Sequence, residues 1–476
     1  MCDDMCMEIR RSRRGLMGGG LKGAMAAAIA GGLAKSGGLF TPTMARAQDA
    51  VTVDWWVQQD DPDDALEEFR ATQIAGLIKE EHPDIDLVFT ARADGQNFDR
   101  VLATALQSGA GPDIVPSQGP GHAGAMAKAG LLLDLQPYAE QYGWQEKMLP
   151  WALATGYQGD KLYLLPNEME CTIAYYGQKL FDEKGWTPPT NRAEFEAWAE
   201  EANGQGIIPV AGGIADCGLC TNWLITIFLN TYAGPDAVYQ ALTGEIPFSD
   251  PAFVDSVTLL NDYMQRGWIG GGVEQFFSTG FDTVHTMLAD GEAGFAWEGT
   301  WFLSRLKNFF GEEAGNDNSW GWAQTPAWTD AVTYPTYPLA LGSTLSIAAE
   351  SEAPDQAATV LDWYYSDPVR VAERIAAYPG LMTLPLPFTT EDFPEAMDPR
   401  VAEILVNLGE ATSSGNFGYA AWTFWPSKTH IWLHDEIQKV FTGDMTPQEY
   451  CDGMAELFAE ELAEGVVPTP IPRDVA

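Results

Sequence analysis

The stretch VTVDWWV, residues 51–57, decides the fold, because the segments that follow it alternate between two periods. Its β-branched and aromatic residues read as a strand. A helical stretch follows from about Ala65 to Glu81, with Leu66, Phe69, Ile74, Leu77 and Ile78 near one side, and His82-Pro83 ends it. Ile85 to Ala91 is a second strand with Ile85, Leu87 and Phe89 in alternation. From Asn97 to Ser108, Phe98, Val101, Leu102, Ala105 and Leu106 share one helical face. Gly109, Gly111 and Pro112 then stop the helix, and Asp113-Ile114-Val115 is a short buried strand. The order β, α, β, α, β predicts an α/β sheet with parallel strands and helices on its faces. In such sheets ligands sit outside the carboxyl ends of the strands. Trp55, Trp56, Gln118 and Gly119 stand there, and one of the two tryptophans is expected to face the ligand.

Upstream, the chain reads as an address. Arg10, Arg11, Arg13 and Arg14 precede an apolar run from Leu16 to Leu33, and Ala45-Arg46-Ala47 has the small residues of a cleavage site. Residues 1–47 are therefore expected to be a signal peptide. The run Ser12-Arg13-Arg14-Gly15-Leu16-Met17 resembles the twin-arginine type. The glycines and Lys22 in the apolar run make a poor permanent span. A protein released outside the cytoplasm, periplasmic or otherwise extracytoplasmic and soluble once the signal is removed, is the expectation.

The 476 residues carry 26 basic and 67 acidic side chains, a formal charge of -41. Removing residues 1–47 takes away seven basic and three acidic groups and leaves 19 against 64. That balance excludes a nucleic-acid partner, which needs a basic stripe, and disfavours an anionic membrane surface. It is compatible with a solvated acidic shell, or with a field that attracts cations. Seventeen tryptophans are the unusual feature. Tryptophan is ordinary core material, but it also lies flat against a sugar ring or cages a cation.

Four cysteines lie beyond the leader. Cys217 and Cys220 have C-x-x-C spacing without a second pair or nearby histidines, so a local disulfide is expected rather than a zinc site, with free thiols or redox work as the alternatives. Cys171 and Cys451 read as buried small hydrophobes. None of the five histidines is paired at metal spacing except His430 and His434, which lack a third ligand, so no metal and no cofactor is expected.

Further along, Pro326 to Pro338 reads as irregular connection and Thr344 to Ala349 as a strand. Pro354 opens a helix through Tyr365, and Thr446-Pro447-Gln448-Glu449 is a capping box before the last helix.

Several ordered segments together resemble the extracellular solute-binding proteins of the carbohydrate-uptake group, the receptors of ABC importers. They are Gly111-Pro112-Asp113-Ile114, Ala129 to Leu135, Gly159 to Pro166, Ala174 to Phe181, Gly299-Thr300-Trp301, Gly342 to Ala349 and Thr442 to Glu449. The match breaks at Gly177, where the family has Asn or Asp. The resemblance implies a two-lobe periplasmic-binding-protein fold. Each lobe is then a mainly parallel sheet flanked by helices, with crossings near Pro166 to Glu170, Leu339 to Ser343 and Tyr378 to Leu381. Lobe one is expected to comprise residues 48–168 with 341–378, and lobe two 169–340 with 379–476. Closure of the lobes on a ligand follows, because only the closed state makes all contacts.

A sugar needs an aromatic platform and charged or amide acceptors. The resemblance assigns the platform to Trp301 and a polar contact to Glu170, with Glu168 less favoured. Glu298 stands between pocket and rim, and Trp297 alternates into the core. Gly342, Ser343 and Thr344 lie at a crossing, and Trp223, with Trp422 or Trp425, completes the candidates. The expected protein is a monomeric receptor, not an enzyme. It would bind a small carbohydrate (sugar, oligosaccharide or polyol) and pass it to the membrane permease of an ABC importer. A binding protein for a polyamine or betaine and a secreted glycoside hydrolase are the rival readings.

Overall fold

The computed structural model describes residues 50–58, 64–92 and 98–473, so the leader expected over residues 1–47 lies outside the described residues. Nine strands form one sheet: β1 Val51–Gln58, β2 Ile85–Arg92, β3 Ile114–Ser117, β4 Leu165–Gly177, β5 Ile208–Ala211, β6 Ala293–Gly299, β7 Trp320–Ala323, β8 Tyr337–Ile347 and β9 Phe417–Tyr419. The order across it is β2-β1-β3-β8-β4-β6-β5, with β9 beside β8 and β7 beside β4.

At one end β1 is parallel to β2 and β3, and at the other β5 is parallel to β6, as the β-α-β alternation requires. The sheet is nevertheless mixed rather than mainly parallel. The two longest strands, β4 and β8, run antiparallel to each other, β8 antiparallel to β3, and β4 antiparallel to β6 and β7. A strand that carries the chain from one half of the molecule to the other must be answered by one that brings it back. That reversal puts antiparallel pairs at the centre. β8 begins earlier than the strand read from sequence, since Pro338 hides its first half.

Register locates the crossing. Ser117, at the carboxyl end of β3, faces Thr344, which faces Pro166 of β4, whereas Gly299, at the carboxyl end of β6, faces Thr172 of β4. Six steps of β4 separate the two, ~20 Å at the usual rise per residue. The carboxyl ends of both parallel sets thus converge on the middle of β4 and β8. Between β8 and β4 the pairing slips around Gly342, leaving a bulge there.

Helices cover both faces. The run from Asp64 to Glu81 is helical throughout, with a wider π-type turn over Arg70–Gly76. Phe98–Gln107 and Pro354–Ser366 are helices as expected, and Ala357, Ala358, Leu361 and Tyr365 are buried. Thr446 and Glu449 cap the last helix reciprocally. The main core runs the length of the sheet. Its largest aromatic group packs Trp297 against Phe195, Phe228 and Trp328.

Candidate functional site

The carboxyl ends of β1 and β3 open on a cavity of about 370 Å³ beside the crossing strands. Trp55 and Gln58 reach it from β1, Ser117 and Gln118 from the end of β3, Asn167 and Glu168 from β4, and Gly342 and Ser343 from the bulge of β8. Tyr364, Leu381 and Met382 close its apolar side, and Arg70 lies on its wall. Of the paired tryptophans of β1, Trp55 lines this cavity, held by Phe89 at 5.1 Å and Tyr364 at 5.2 Å between ring centroids. Trp56 turns to the other face of the strand. It sits in a separate apolar cluster with Phe98 and Leu102, its N–H donating to Asp54 and Arg92 over its ring. The period of a strand allows only one of two neighbours to face the ligand side.

The polar groups are arranged in pairs. Gln118 Nε2 donates to Gln58 Oε1 at 2.5 Å, and Asn167 Nδ2 donates to Ser343 Oγ at 2.7 Å. The Oδ1 of the same amide is buried without a partner. Burial pushes the Glu168 carboxyl up to about 7, against the lowering effects of Ser343 and Arg70. Gly119 turns the chain from β3 into the helix Pro120–Lys128 with a φ of 93°. A side chain there would press on the carbonyl oxygens of Trp422 and Leu341, so only glycine lets the three segments meet.

Beside this cavity stands an aromatic cluster. Trp223, Trp301 and Trp422 are each half-buried. Trp301 meets Trp223 edge to face at 5.3 Å and Trp422 at 5.7 Å. Behind them are the two carboxylates read from the sequence as ligand contacts. Trp301 Nε1 donates to Glu298 Oε2 at 2.8 Å, and Trp422 Nε1 donates to Glu170 Oε2 at 2.9 Å. Both acids are buried, and neither lines the larger cavity. Burial, reinforced by the charge of Glu168, pushes Glu170 up to about 8 despite the Trp422 hydrogen bond. His285 Nε2 lies 3.6 Å from the free side of Glu298, with its ring stacked on Phe302. A cavity of about 10 Å³, room for one water, lies between Glu298 and Trp223.

The cluster adjoins the larger cavity at two glycines. Gly342, on its wall, packs directly on the Glu170 carboxylate. Gly380, with a φ of 88°, packs on Thr300 and Trp301 just before Leu381 and Met382 enter that wall.

Trp425, expected at the site, is instead buried against Phe248 in the core, and Trp422 joins the aromatic cluster through Trp301 and Glu170. The short helical turn Ala421–Phe424 points the two tryptophans to different sides. Cys217 and Cys220 form a disulfide just before the helix Thr221–Phe228 that carries Trp223, and Cys171 and Cys451 are buried thiols. His430 and His434 stand near His122, yet among the described residues no group of three His, Cys, Asp or Glu side chains is arranged to hold a metal ion. Sequence reading missed Gln58, Arg70, Asn167 and Tyr364 as cavity residues. Gln58 carried a signal in its place at the end of β1, and Asn167 in its place within the crossing Pro166 to Glu170.

Among the described residues no helix is long and apolar enough to cross a membrane. No curated protein matches the sequence. Solved structures do. A chitin oligosaccharide binding protein superposes with a TM-score of 0.71 at 20% identity, over 87% of this chain and 100% of that one. The GacH receptor of Streptomyces glaucescens follows with 0.67 at 18% identity, over 87% of this chain and 99% of the receptor. The sugar-binding protein MalE from Xanthomonas citri gives 0.65 at 17% identity, over 87% of this chain and 98% of MalE. Each shares the two-lobe fold. The profile described as bacterial extracellular solute-binding protein matches residues 63–371, and this chain belongs to that family.

Proposed function

We propose that this protein is an extracytoplasmic receptor that binds a carbohydrate between its lobes and delivers it, as a monomer, to the permease of an ABC importer. One observation carries the reading. At the crossing strands, a cavity walled by Trp55, paired amides and a serine hydroxyl adjoins three half-buried tryptophans. A sugar offers apolar CH faces and clustered hydroxyls, and this combination answers both. The names of similar structures support it: chitin oligosaccharide, acarbose and raffinose are the ligands of relatives with this fold. Lobe one is proposed as residues 48–168 with 341–378 and lobe two as 169–340 with 379–476. Export through a twin-arginine leader removed after Ala47 completes the proposal.

The reading is binding without turnover. Carboxylates for hydrolysis must be free to meet the scissile bond, whereas Glu170 and Glu298 accept from indoles. A cationic ligand is the second reading. It gains from the acidic balance of the chain, but Arg70 stands on the cavity wall. The test is a melting-temperature screen of residues 48–476 with maltose, raffinose, chitin oligosaccharides, spermidine and betaine, with product analysis in parallel. Ligands of the native state raise Tm by mass action. A rise with a saccharide that is recovered intact supports the receptor. Cleavage of the saccharide, or a rise with spermidine or betaine alone, overturns it.

A further inference from the structure

Glu298 and Glu170 do not wait for a ligand; each already holds an indole. Glu298 is the last residue but one of β6, and the chain doubles back through the tight turn Thr300–Ser304, so that the Trp301 ring lies over Gly299. A side chain at Gly299 would overlap that ring. From there Nε1 reaches the carboxylate at 2.8 Å, and Ser304 Oγ donates to the Trp301 carbonyl at 3.1 Å. Glu170 repeats the device on β4. It fits against Gly342, where a side chain would overlap the carboxylate, and it takes the Trp422 N–H from a segment 252 residues away. The same elements, a buried carboxylate, a glycine and an indole, recur from unrelated sequence. The tryptophans of the core vary: Trp144 donates its N–H to Asp362 at 3.1 Å. Trp297, Trp328 and Trp425 bury their N–H groups without a hydrogen-bond partner.

We propose that Glu298 and Glu170 are positioning residues, which fix the angle between Trp301 and Trp422 and so leave that wall to the apolar faces of a neutral sugar. This rests on reading the cleft as a carbohydrate site. A rigid indole is a better platform than a mobile one, because the cost of ordering it is met before the ligand arrives. An anchoring role needs only an acceptor oxygen, so glutamine can replace glutamate in it. A charged contact to ligand hydroxyls would lose most of its strength with the charge.

Glu298→Ala, Glu298→Gln and Trp301→Phe are compared singly, with Glu298→Ala also combined with Trp301→Phe, and Glu170 with Trp422 treated in the same way. Affinities for maltose, raffinose and chitin oligosaccharides are measured by calorimetry, and the coupled-indole bands by near-ultraviolet circular dichroism. Glu298→Ala is expected to flatten those bands and weaken binding about tenfold, the effect of one lost hydrogen bond. Glu298→Gln restores the bands and most of the affinity. In the Trp301→Phe background, where no N–H is left to hold, Glu298→Ala adds no further loss. An equal loss in both backgrounds makes Glu298 a direct ligand contact and overturns the proposal. If no saccharide binds the wild type, the carbohydrate reading fails while the bands still decide the anchor. Bands lost with Ala and kept with Gln uphold it; bands unchanged in both overturn it. Should Glu298→Ala not fold, the Glu170 series gives the same decision.

Discussion

The aromatic core behind β6 and the aromatic cluster at its end are built from one short segment, yet they solve different problems. Trp297 and Trp301 are four residues apart. Trp297 is fully enclosed by Phe195, Phe228 and Trp328, and its N–H has no partner. There the area removed from water outweighs one unmade hydrogen bond. Trp301 stays partly exposed, and its N–H is held by a buried carboxylate. Burial of a carboxylate is costly unless it is hydrogen-bonded. The Trp301 N–H offsets part of that cost at Glu298. Tryptophan count alone therefore says little about ligands.

The largest effect should come from the core. Trp297→Ala leaves a cavity among three large rings and is expected to cost ~3–5 kcal/mol in urea unfolding, with the affinity of the remaining folded molecules unchanged. A matching loss of affinity would erase the distinction between the two regions. Trp301→Ala is the converse. It is expected to weaken saccharide binding about 30-fold, ~2 kcal/mol, as for an aromatic anchor. Its unfolding free energy should fall by only ~1 kcal/mol, since the ring is already partly in water. Calorimetric titration and urea unfolding of both variants separate the two contributions.

The disulfide sharpens the comparison from the side of Trp223. Cys217 and Cys220 close a loop of only a few residues at the entry to the helix Thr221–Phe228. So short a loop removes little chain entropy, and replacing both cysteines by serine is expected to cost at most ~2 kcal/mol. The Trp223 to Trp301 contact should loosen with it, read as a weakened coupled-indole band in near-ultraviolet circular dichroism. An unchanged band would show that Trp223 is held by its helix alone.

Much of the fold was legible because its signals are local. The period of VTVDWWV, the helical face from Phe98 to Leu106 and the Thr446 to Glu449 capping box each specify their own element. Alternation also placed Trp297 inside and Glu298 on the other side. Long-range facts left no such trace. Pro338 masks the first half of β8, and the reversal that makes the sheet mixed is a property of the crossing, not of either strand. Choosing between Trp422 and Trp425 required the four-residue turn Ala421–Phe424, too short to show a period. The occupation of Glu170 by Trp422 joins residues that no spacing rule connects. The acids were visible in the sequence; their partners were not.

The last expected effects are slopes with pH, at most ~1.4 kcal/mol per pH unit for one group, and here the cleft and its surroundings differ in sign. Glu170 is pushed up to about 8 by burial and by Glu168, from an ordinary 4.5. The folded state therefore holds a proton that the unfolded chain has released between those values. Its contribution is full below pH 4.5 and is lost as pH rises through about 8. His430 is pushed down to about 3 by burial and then by His122 and His434, from an ordinary 6.5. Its folded form stays neutral while the unfolded chain takes up a proton, so stability is present above pH 6.5 and is lost as pH falls toward 3. Urea unfolding of wild type against Glu170→Gln should show a stability difference that declines from pH 4.5 to 8. Wild type against His430→Gln should show one that declines from pH 6.5 to 3. A Glu170 difference that grows with pH would mean the Trp422 hydrogen bond outweighs burial. The carboxylate would then be charged in the closed wall, and the anchor would be an ion-assisted bond rather than a neutral one.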